Sequence, residues 1–191
     1  MSPRSDPEFF DAMFRADPDP WRFDTDWYEI RKRTLLTAVL PAPRYRNALE
    51  PGCANGHLTR ALAERCDHVT ATDIAPRALE LARARCRDLP HVTLHEWAFG
   101  APWQWTEPFD LVVLSEVAYY QPAPALTDTI ADLGVHLDPG TTVLAAHWRH
   151  PEPDHHLDGD RAHHVILTTL PHHRIAHYRD DDVVIDVLTT R

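Results

Sequence analysis

The stretch ALEPGCANGHLTRAL, residues 48–62, has the layout of a strand that runs into a tight turn and then a helix. Gly52 removes a side chain where the backbone must approach a ligand, and Gly56 lets the turn meet the helix. Asp73 follows Gly52 by about 20 residues, the spacing at which a carboxylate accepts hydrogen bonds from ribose hydroxyls. The stretch therefore predicts a cofactor loop, with a plain turn as the alternative.

The loop lacks the glycines that a dinucleotide requires. The fingerprint G-x-G-x-x-G has Ala54 and His57 here at its second and third positions, so a pyrophosphate would lose its close backbone approach. The pattern Glu50-x-Gly52-x-x-x-Gly56 instead resembles the first motif of class I S-adenosylmethionine-dependent methyltransferases. In that family the loop holds the amino-acid part of the cofactor, which carries no phosphate, and a small residue such as Ala54 keeps the loop tight.

Strands and helices alternate beyond residue 44, which predicts an α/β domain with a seven-stranded, mostly parallel sheet and helices on both faces. The near-continuous apolar run FDLVVLSE, residues 109–116, is typical of a central strand buried on both faces. The predicted strands are 47–50, 68–74, 91–97, 109–116, 141–148, 173–179 and 182–190, and the predicted helices are 56–66, 76–86, 123–137 and 161–170.

The first 44 residues have a different pattern. They contain two helical segments, 7–15 and 25–40, separated by the breaker DPDPW at residues 17–21. We interpret residues 1–44 as an N-terminal helical lid and residues 45–191 as the cofactor-binding core.

Composition limits the function classes. A formal net charge of -10 on 191 residues repels polyanions, so a nucleic-acid partner is not expected. No apolar run has membrane-spanning length, and the N-terminus lacks the pattern of a signal peptide. Three cysteines without paired spacing suggest neither disulfides nor a zinc knuckle. We therefore expect a cytoplasmic protein without a membrane partner, as a monomer or homodimer.

The segment HWRHPEPDHHLDGDRAHH, residues 147–164, is dense in histidine and aspartate. No fixed ligand spacing accompanies this density, so we predict a polar loop over the active site and no metal.

Ligands of open parallel sheets bind beyond the carboxyl ends of the strands. The five predicted strands that run up to residue 148 have polar or acidic residues at that end. They are Glu50 on the first strand, Asp73 on the second, Glu96 and Trp97 on the third, Ser115 and Glu116 on the fourth, and His147 on the fifth. The sequence thus predicts one site built from several strand ends.

The resemblance extends beyond the loop. The segments DPWRF, DWYEIRKRTLLTAVLP, RNALEPGCANGHLTRALAERCD, ATDIAPRALELARAR, FDLVVLSEVAYY and HWR resemble the NodS-like subfamily of class I methyltransferases over most of residues 17–150. This implies a Rossmann-like fold and S-adenosyl-L-methionine as cofactor, with S-adenosyl-L-homocysteine as product. The namesake of the subfamily N-methylates a deacetylated chitooligosaccharide.

The resemblance also implies residue roles. Glu50, Gly52 and Ala54 would line the methionine moiety, Asp73 the ribose and Ile74 one face of the adenine. Glu96 and Trp97 would hold the adenine edge, and Tyr28 and Arg33 would close over the cofactor. Trp21 and Ser115 complete the predicted cofactor-binding set.

An amine that accepts a methyl group must lose a proton, and a carboxylate or histidine at the cleft can take it. The candidates are Glu116, Tyr119, Tyr120 and His147. Glu116 comes first because a carboxylate also attracts a cationic aminosugar; a solvated acid and a structural histidine are the alternatives for Glu116 and His147. We predict methyl transfer to a small acceptor, best guessed as N-methylation of a sugar-like or natural-product amine. An O-methyltransferase of a natural product and a non-catalytic cofactor-binding protein stay open.

Overall fold

The computed structural model describes residues 6–191. Residues 1–5 lie outside this range; they belong to the predicted lid and to the N-terminus that lacks a signal-peptide pattern. The chain forms two compact units, Met1–Ala98 and Phe99–Arg191. The predicted lid helices therefore belong to the same compact unit as the cofactor loop. A domain boundary at residue 44 stays a prediction.

The first unit contains three parallel strands in the order β3-β2-β1. Its elements are α1 (Pro7–Ala16), α2 (Trp27–Ala38), β1 (Tyr45–Pro51), α3 (His57–Ala63), β2 (Cys66–Asp73), α4 (Pro76–Arg85) and β3 (Val92–Glu96). The strand register places Asp73 beside Glu96 at the carboxyl ends of β2 and β3. These neighbouring ends carry the residues that the sequence assigned to adenosine.

Aspartate side chains start both N-terminal helices. Asp6 accepts from the backbone N–H of Glu8, and Asp26 accepts from that of Tyr28, which satisfies donors that a helix leaves unpaired in its first turn. Pro7 suits the first turn of α1 because proline has no N–H to lose there. The predicted breaker lies between the two helices, as expected.

The second unit contains four strands in the order β4-β5-β7-β6. Its elements are β4 (Leu111–Ser115), a single 3-10 turn (Ala118–Tyr120), α5 (Ala123–His136), β5 (Thr142–Trp148), α6 (Gly159–Thr169), β6 (His172–Arg179) and β7 (Val183–Thr190). β4 and β5 are parallel, whereas β7 is antiparallel to both β5 and β6. The first four residues of β4 are fully buried, as its apolar run predicted.

Residues 6–191 contain the seven strands that the sequence predicted, close to the predicted bounds. Two details differ. α3 ends at Ala63 rather than residue 66, because Cys66 already belongs to β2, where it pairs with Tyr45 of β1. The Ala118–Tyr120 turn was not predicted, because three residues show no periodicity. No helix in the described part of the chain is both long enough and apolar enough to cross a bilayer.

Candidate active site

The loop between β1 and α3 is built on left-handed backbone conformations. Gly52, Ala54 and Gly56 have φ angles of 72°, 50° and 84°. A Cβ at Gly56 would come within 3.0 Å of the Ala82 backbone in α4, so only glycine allows this close approach. Ala54 is the one of the three that carries a side chain in a region that L residues rarely adopt.

Asp73 holds this loop. Its Oδ2 accepts the Ala54 N–H at 2.9 Å and its Oδ1 accepts the Ala75 N–H at 2.9 Å. Burial raises the pKa of Asp73, and these backbone donors oppose that rise. The carboxylate therefore stabilises the strained conformation of Ala54, a role that sequence spacing did not reveal. Its predicted contact with ribose stays a prediction.

Glu50 has a buried oxygen that lacks a donor. Its Oε2 has no hydrogen-bond partner among the residues that the structure describes, and the residue is 2% exposed. Burial raises the pKa of Glu50 to about 8; the nearby Thr59 hydroxyl opposes this rise, and the charge of Asp73 adds to it. A buried acceptor without a donor is unfavourable, so this position is prepared for a ligand that brings a donor or a positive charge.

The segment between α1 and α2 is attached directly to the cofactor loop. Asn55 Nδ2 donates to the Pro18 carbonyl at 3.0 Å and to Asp19 Oδ1 at 3.2 Å. His57 lies 2.7 Å from Asn55 Oδ1 through Nδ1 and 2.8 Å from Asp24 Oδ1 through Nε2. Sequence reasoning missed both Asn55 and His57, because their other partners lie more than 30 residues away on an irregular segment.

A metal site would need several ligand side chains close together. In residues 6–191 one group of three or more His, Cys, Asp or Glu residues has all its possible metal-ligand atoms within 4.8 Å of one another, and it consists of Asp19, Asp24 and His57. Asp24 already has a cationic neighbour, since the Arg85 guanidinium lies 3.7 Å away. The expectation that the protein uses no metal stays a prediction.

The predicted lid residues build the N-terminal segment itself. Trp21 packs edge-on against Phe14 at 5.5 Å and tilted against Phe23 at 5.9 Å, measured between ring centroids. Arg33 donates to the Phe23 carbonyl at 3.1 Å. The Lys32 ammonium lies 4.9 Å from the ring centroid of Tyr28. Contacts of Trp21, Tyr28 and Arg33 with a cofactor stay predictions.

The predicted adenosine residues follow the ends of β2 and β3. Ile74 and Trp97 are half-buried and Glu96 is exposed. The backbone N–H of Trp97 donates to the Asp73 carbonyl at 3.3 Å, which holds the Trp97 backbone next to the β2 end. The first unit contains all the predicted cofactor residues except Ser115, which is half-buried at the end of β4 in the second unit.

Glu116 in the second unit has a strained backbone and a fixed carboxylate. Its φ angle is 54°. Its Oε2 accepts from the Tyr119 hydroxyl at 2.5 Å and from the Trp148 N–H at 2.9 Å. His155 stacks on the Tyr119 ring at 3.7 Å, and Tyr120 packs edge-on against it at 5.1 Å. Strain of this kind occurs often at functional sites, which favours Glu116 among the catalytic candidates.

His147 is enclosed by protein groups, and its catalytic role stays a prediction. It is fully buried on β5. Its Nε2 accepts the Ala118 N–H at 3.1 Å, and its Nδ1 lies 3.0 Å from His163 Nε2. Because both ring nitrogens are engaged within the protein, the geometry favours a structural role over proton transfer to or from an acceptor.

Comparison with known proteins gives a consistent family. The family described as Nodulation protein S (NodS) matches residues 11–145. Nodulation protein S of Sinorhizobium fredii is 36% identical over 108 residues, which cover 55% of this chain and 49% of that protein. Nodulation protein S of Rhizobium tropici is 37% identical over 109 residues, covering 55% and 44%. The chain thus spans about half the length of the curated relatives it matches.

Solved structures support the fold. A Pseudomonas syringae protein provisionally named a methyltransferase is 38% identical with a TM-score of 0.76, covering 86% of this chain and 99% of that one. The N-methyltransferase NodS of Bradyrhizobium japonicum WM9, in complex with S-adenosyl-L-homocysteine, has a TM-score of 0.83 at 24% identity, covering 95% and 97%. These likenesses confirm the predicted Rossmann-like class I methyltransferase fold. Because the family match includes well over half of the residues, the chain belongs to the Nodulation protein S (NodS) family.

Proposed function

We propose that this protein transfers a methyl group from S-adenosyl-L-methionine to an amino group of a small, sugar-like or natural-product acceptor. The observation that carries the proposal is the buried Glu50 oxygen without a donor, next to a loop held in left-handed conformations. The amino-acid part of this cofactor has an ammonium group that fits such an oxygen. The N-methyltransferase NodS structure with S-adenosyl-L-homocysteine supports the same cofactor.

The residues of the first unit fit the cofactor by their chemistry. Glu50 would pair with the ammonium, and the exposed backbone at Gly52 would allow the methionine moiety to approach closely. Asp73 and Glu96, side by side in register, would accept from the ribose hydroxyls and the adenine edge. When bound, the cofactor supplies a sulfonium-activated methyl group, so alignment of the acceptor provides much of the acceleration.

Glu116 is the group that we propose takes the proton of the acceptor amine. Its carboxylate is held by two donors, the Tyr119 hydroxyl and the Trp148 backbone N–H, which lowers its rotational freedom. An oriented carboxylate attracts an ammonium and accepts one of its protons, which frees the nitrogen lone pair for attack on the methyl group. The net charge of -10 also favours a cationic acceptor over an anionic one.

We further propose a cytoplasmic location. The three cysteines support it, because all three are buried and free of disulfide bonds, and cytosolic proteins rarely contain disulfides. A monomer or homodimer that acts without nucleic acid or membrane completes the proposal.

Calorimetric titration with S-adenosyl-L-methionine and S-adenosyl-L-homocysteine tests the cofactor, and absence of binding at high micromolar concentration would refute the proposal. Tritiated methyl transfer to glucosamine-containing and to hydroxylated acceptors then tests the acceptor class. Label on hydroxyl acceptors alone would identify an O-methyltransferase, and binding without transfer to any acceptor would identify a cofactor-binding protein.

A further inference from the structure

A buried chain of three ionisable side chains runs through the second unit. Asp186 on β7, His163 on α6 and His147 on β5 are 1%, 3% and 0% exposed. Asp186 Oδ2 lies 2.7 Å from His163 Nδ1, His163 Nε2 lies 3.0 Å from His147 Nδ1, and His147 Nε2 lies 3.1 Å from the Ala118 backbone nitrogen. The chain thus connects a buried carboxylate to the turn after β4.

The two ends of this chain fix every proton in it. The Ala118 N–H can only donate, so His147 Nε2 must accept and, in a neutral ring, Nδ1 carries the hydrogen. That hydrogen is donated to His163 Nε2, which leaves His163 Nδ1 to donate to Asp186. Both histidines are therefore neutral Nδ1–H tautomers. An added proton at either ring would place a hydrogen on His147 Nε2 or reverse the chain, and either change breaks the Ala118 contact.

The carboxylate end of the chain is kept ionised by its neighbours. His177 Nδ1 lies 2.9 Å from Asp186 Oδ1, and an Arg174 nitrogen lies 3.4 Å from it. Burial acts to raise the pKa of Asp186, but the hydrogen bonds from His163 and His177 hold it below its usual value. Asp160 is the other carboxylate close to His163, and it is paired with two arginines, Arg149 and Arg179.

The turn that this chain holds carries the Glu116 partner. Ala118 is followed by Tyr119, whose hydroxyl donates to Glu116 and whose carbonyl accepts the N–H groups of His156 and Leu157. Displacement of Ala118 would move the Tyr119 ring and its hydroxyl away from the Glu116 carboxylate. The position of this donor therefore depends on a proton arrangement set on β7 and α6.

We propose that His163 and Asp186 are positioning residues, which fix the His147 tautomer and through Ala118 and Tyr119 hold the Glu116 carboxylate for proton transfer. The catalytic part of this inference rests on the proposed methyltransferase function. The tautomer part does not, because it follows from hydrogen-bond directions alone.

Two substitutions separate the hydrogen bonds of His163 from its volume. In His163→Gln, an amide oxygen can accept from His147 and an amide N–H can donate to Asp186, so the chain is kept. In His163→Leu, the volume is similar but both hydrogen bonds are lost. We expect kcat within about threefold of the wild type for the Gln variant and a loss of about 10-fold to 100-fold for the Leu variant. The Kd for S-adenosyl-L-methionine should stay within about twofold in both.

Nitrogen-15 spectra of histidine-labelled full-length protein provide the readout that does not need activity. Near neutral pH we expect Nδ1–H tautomers for His147 and His163, and retention of the His147 tautomer in His163→Gln. In His163→Leu the buried His147 Nδ1–H loses its acceptor, so we expect part of the population to carry the hydrogen on Nε2 and lose the Ala118 contact. An Nε2–H tautomer at His147 or His163 of the wild type would overturn the proposal. So would an active wild type whose kcat is matched by that of the Leu variant. A wild type that binds cofactor but transfers no methyl group would overturn the catalytic part through the proposed function, while the spectra still decide the tautomers.

Discussion

Replacement of Glu50 by glutamine should stabilise the protein in a pH-dependent way. The native pKa is about 8, whereas an ordinary glutamate has 4.5. Between these values the native state binds more protons than the unfolded state, so the free energy of unfolding falls as pH rises, by about 1.4 kcal/mol per pH unit for one group. Relative to a side chain that stays neutral, Glu50 therefore lowers the free energy of unfolding by about 3 kcal/mol at pH 7 and by about 5 kcal/mol well above pH 8.

Glutamine has no charge and removes this dependence. Urea unfolding of both proteins at pH 5, 6, 7 and 8 should give a stability difference that favours Glu50→Gln and grows by about 1 kcal/mol per pH unit up to pH 8. Glu96→Gln is the matched control, because Glu96 is an exposed strand-end carboxyl in the same unit, and its difference should not grow in this way. A Glu50→Gln difference that is constant from pH 5 to 8 would refute the reasoning.

The same group should report cofactor binding. At pH 7 a carboxyl with a pKa of about 8 is about nine-tenths protonated, and an ammonium beside it favours the ionised form. Binding should therefore release up to about 0.9 proton from Glu50 of the wild type, whereas the glutamine of the variant has no proton to release. Calorimetry in buffers of different ionisation enthalpy measures this number, and equal proton release by both proteins would contradict the pairing.

Three further substitutions test the loop and the proposed base. Gly56→Ala should lower the free energy of unfolding by about 2 kcal/mol or more in urea titrations, because its φ is 84° and the new Cβ would lie 3.0 Å from Ala82; unchanged stability would mean that the two elements separate easily. Ala54→Gly should change stability by less than about 1 kcal/mol, towards greater stability, with unchanged cofactor affinity in calorimetry, since the φ of 50° favours glycine; weaker binding would show that the methyl group contacts the cofactor. Glu116→Gln should lose most turnover in the tritium assay while cofactor Kd stays within about threefold, and retained turnover would remove Glu116 from the mechanism.

Local sequence signals were sufficient to predict the strands, the α-helices and the cofactor loop. The apolar run of β4, the Pro76 start of α4 and the glycines of the cofactor loop each act through local backbone preferences, so they could be recognised without tertiary information. Their spacing also located Asp73 at a strand end beside the loop. These features are local, or depend only on the rule that parallel strands end at one edge.

The side-chain networks could not be predicted in this way. His163 and Asp186 are 23 residues apart, on a helix and on a strand that lies between β5 and β6. The density of histidine in residues 147–164 indicated a polar loop, yet His147 and His163 lie at its two ends and are buried together. His57 likewise gained its role from a contact with Asp24, which no sequence periodicity relates to it.

Glu50 and Asp73, two buried carboxyl groups near the ends of neighbouring strands, have different hydrogen-bond partners and therefore different roles. Burial raises the pKa of both Glu50 and Asp73. Asp73 receives two backbone N–H groups and uses its charge to hold Ala54 in the left-handed region, so it organises the loop before any ligand arrives. Glu50 receives no donor at Oε2, and its neutral form avoids repulsion by Asp73 until a cation approaches. The loop is already ordered, and the acid becomes charged only on binding. Together they favour a ligand with a positive group and no phosphate, as the glycines missing from the dinucleotide fingerprint first indicated.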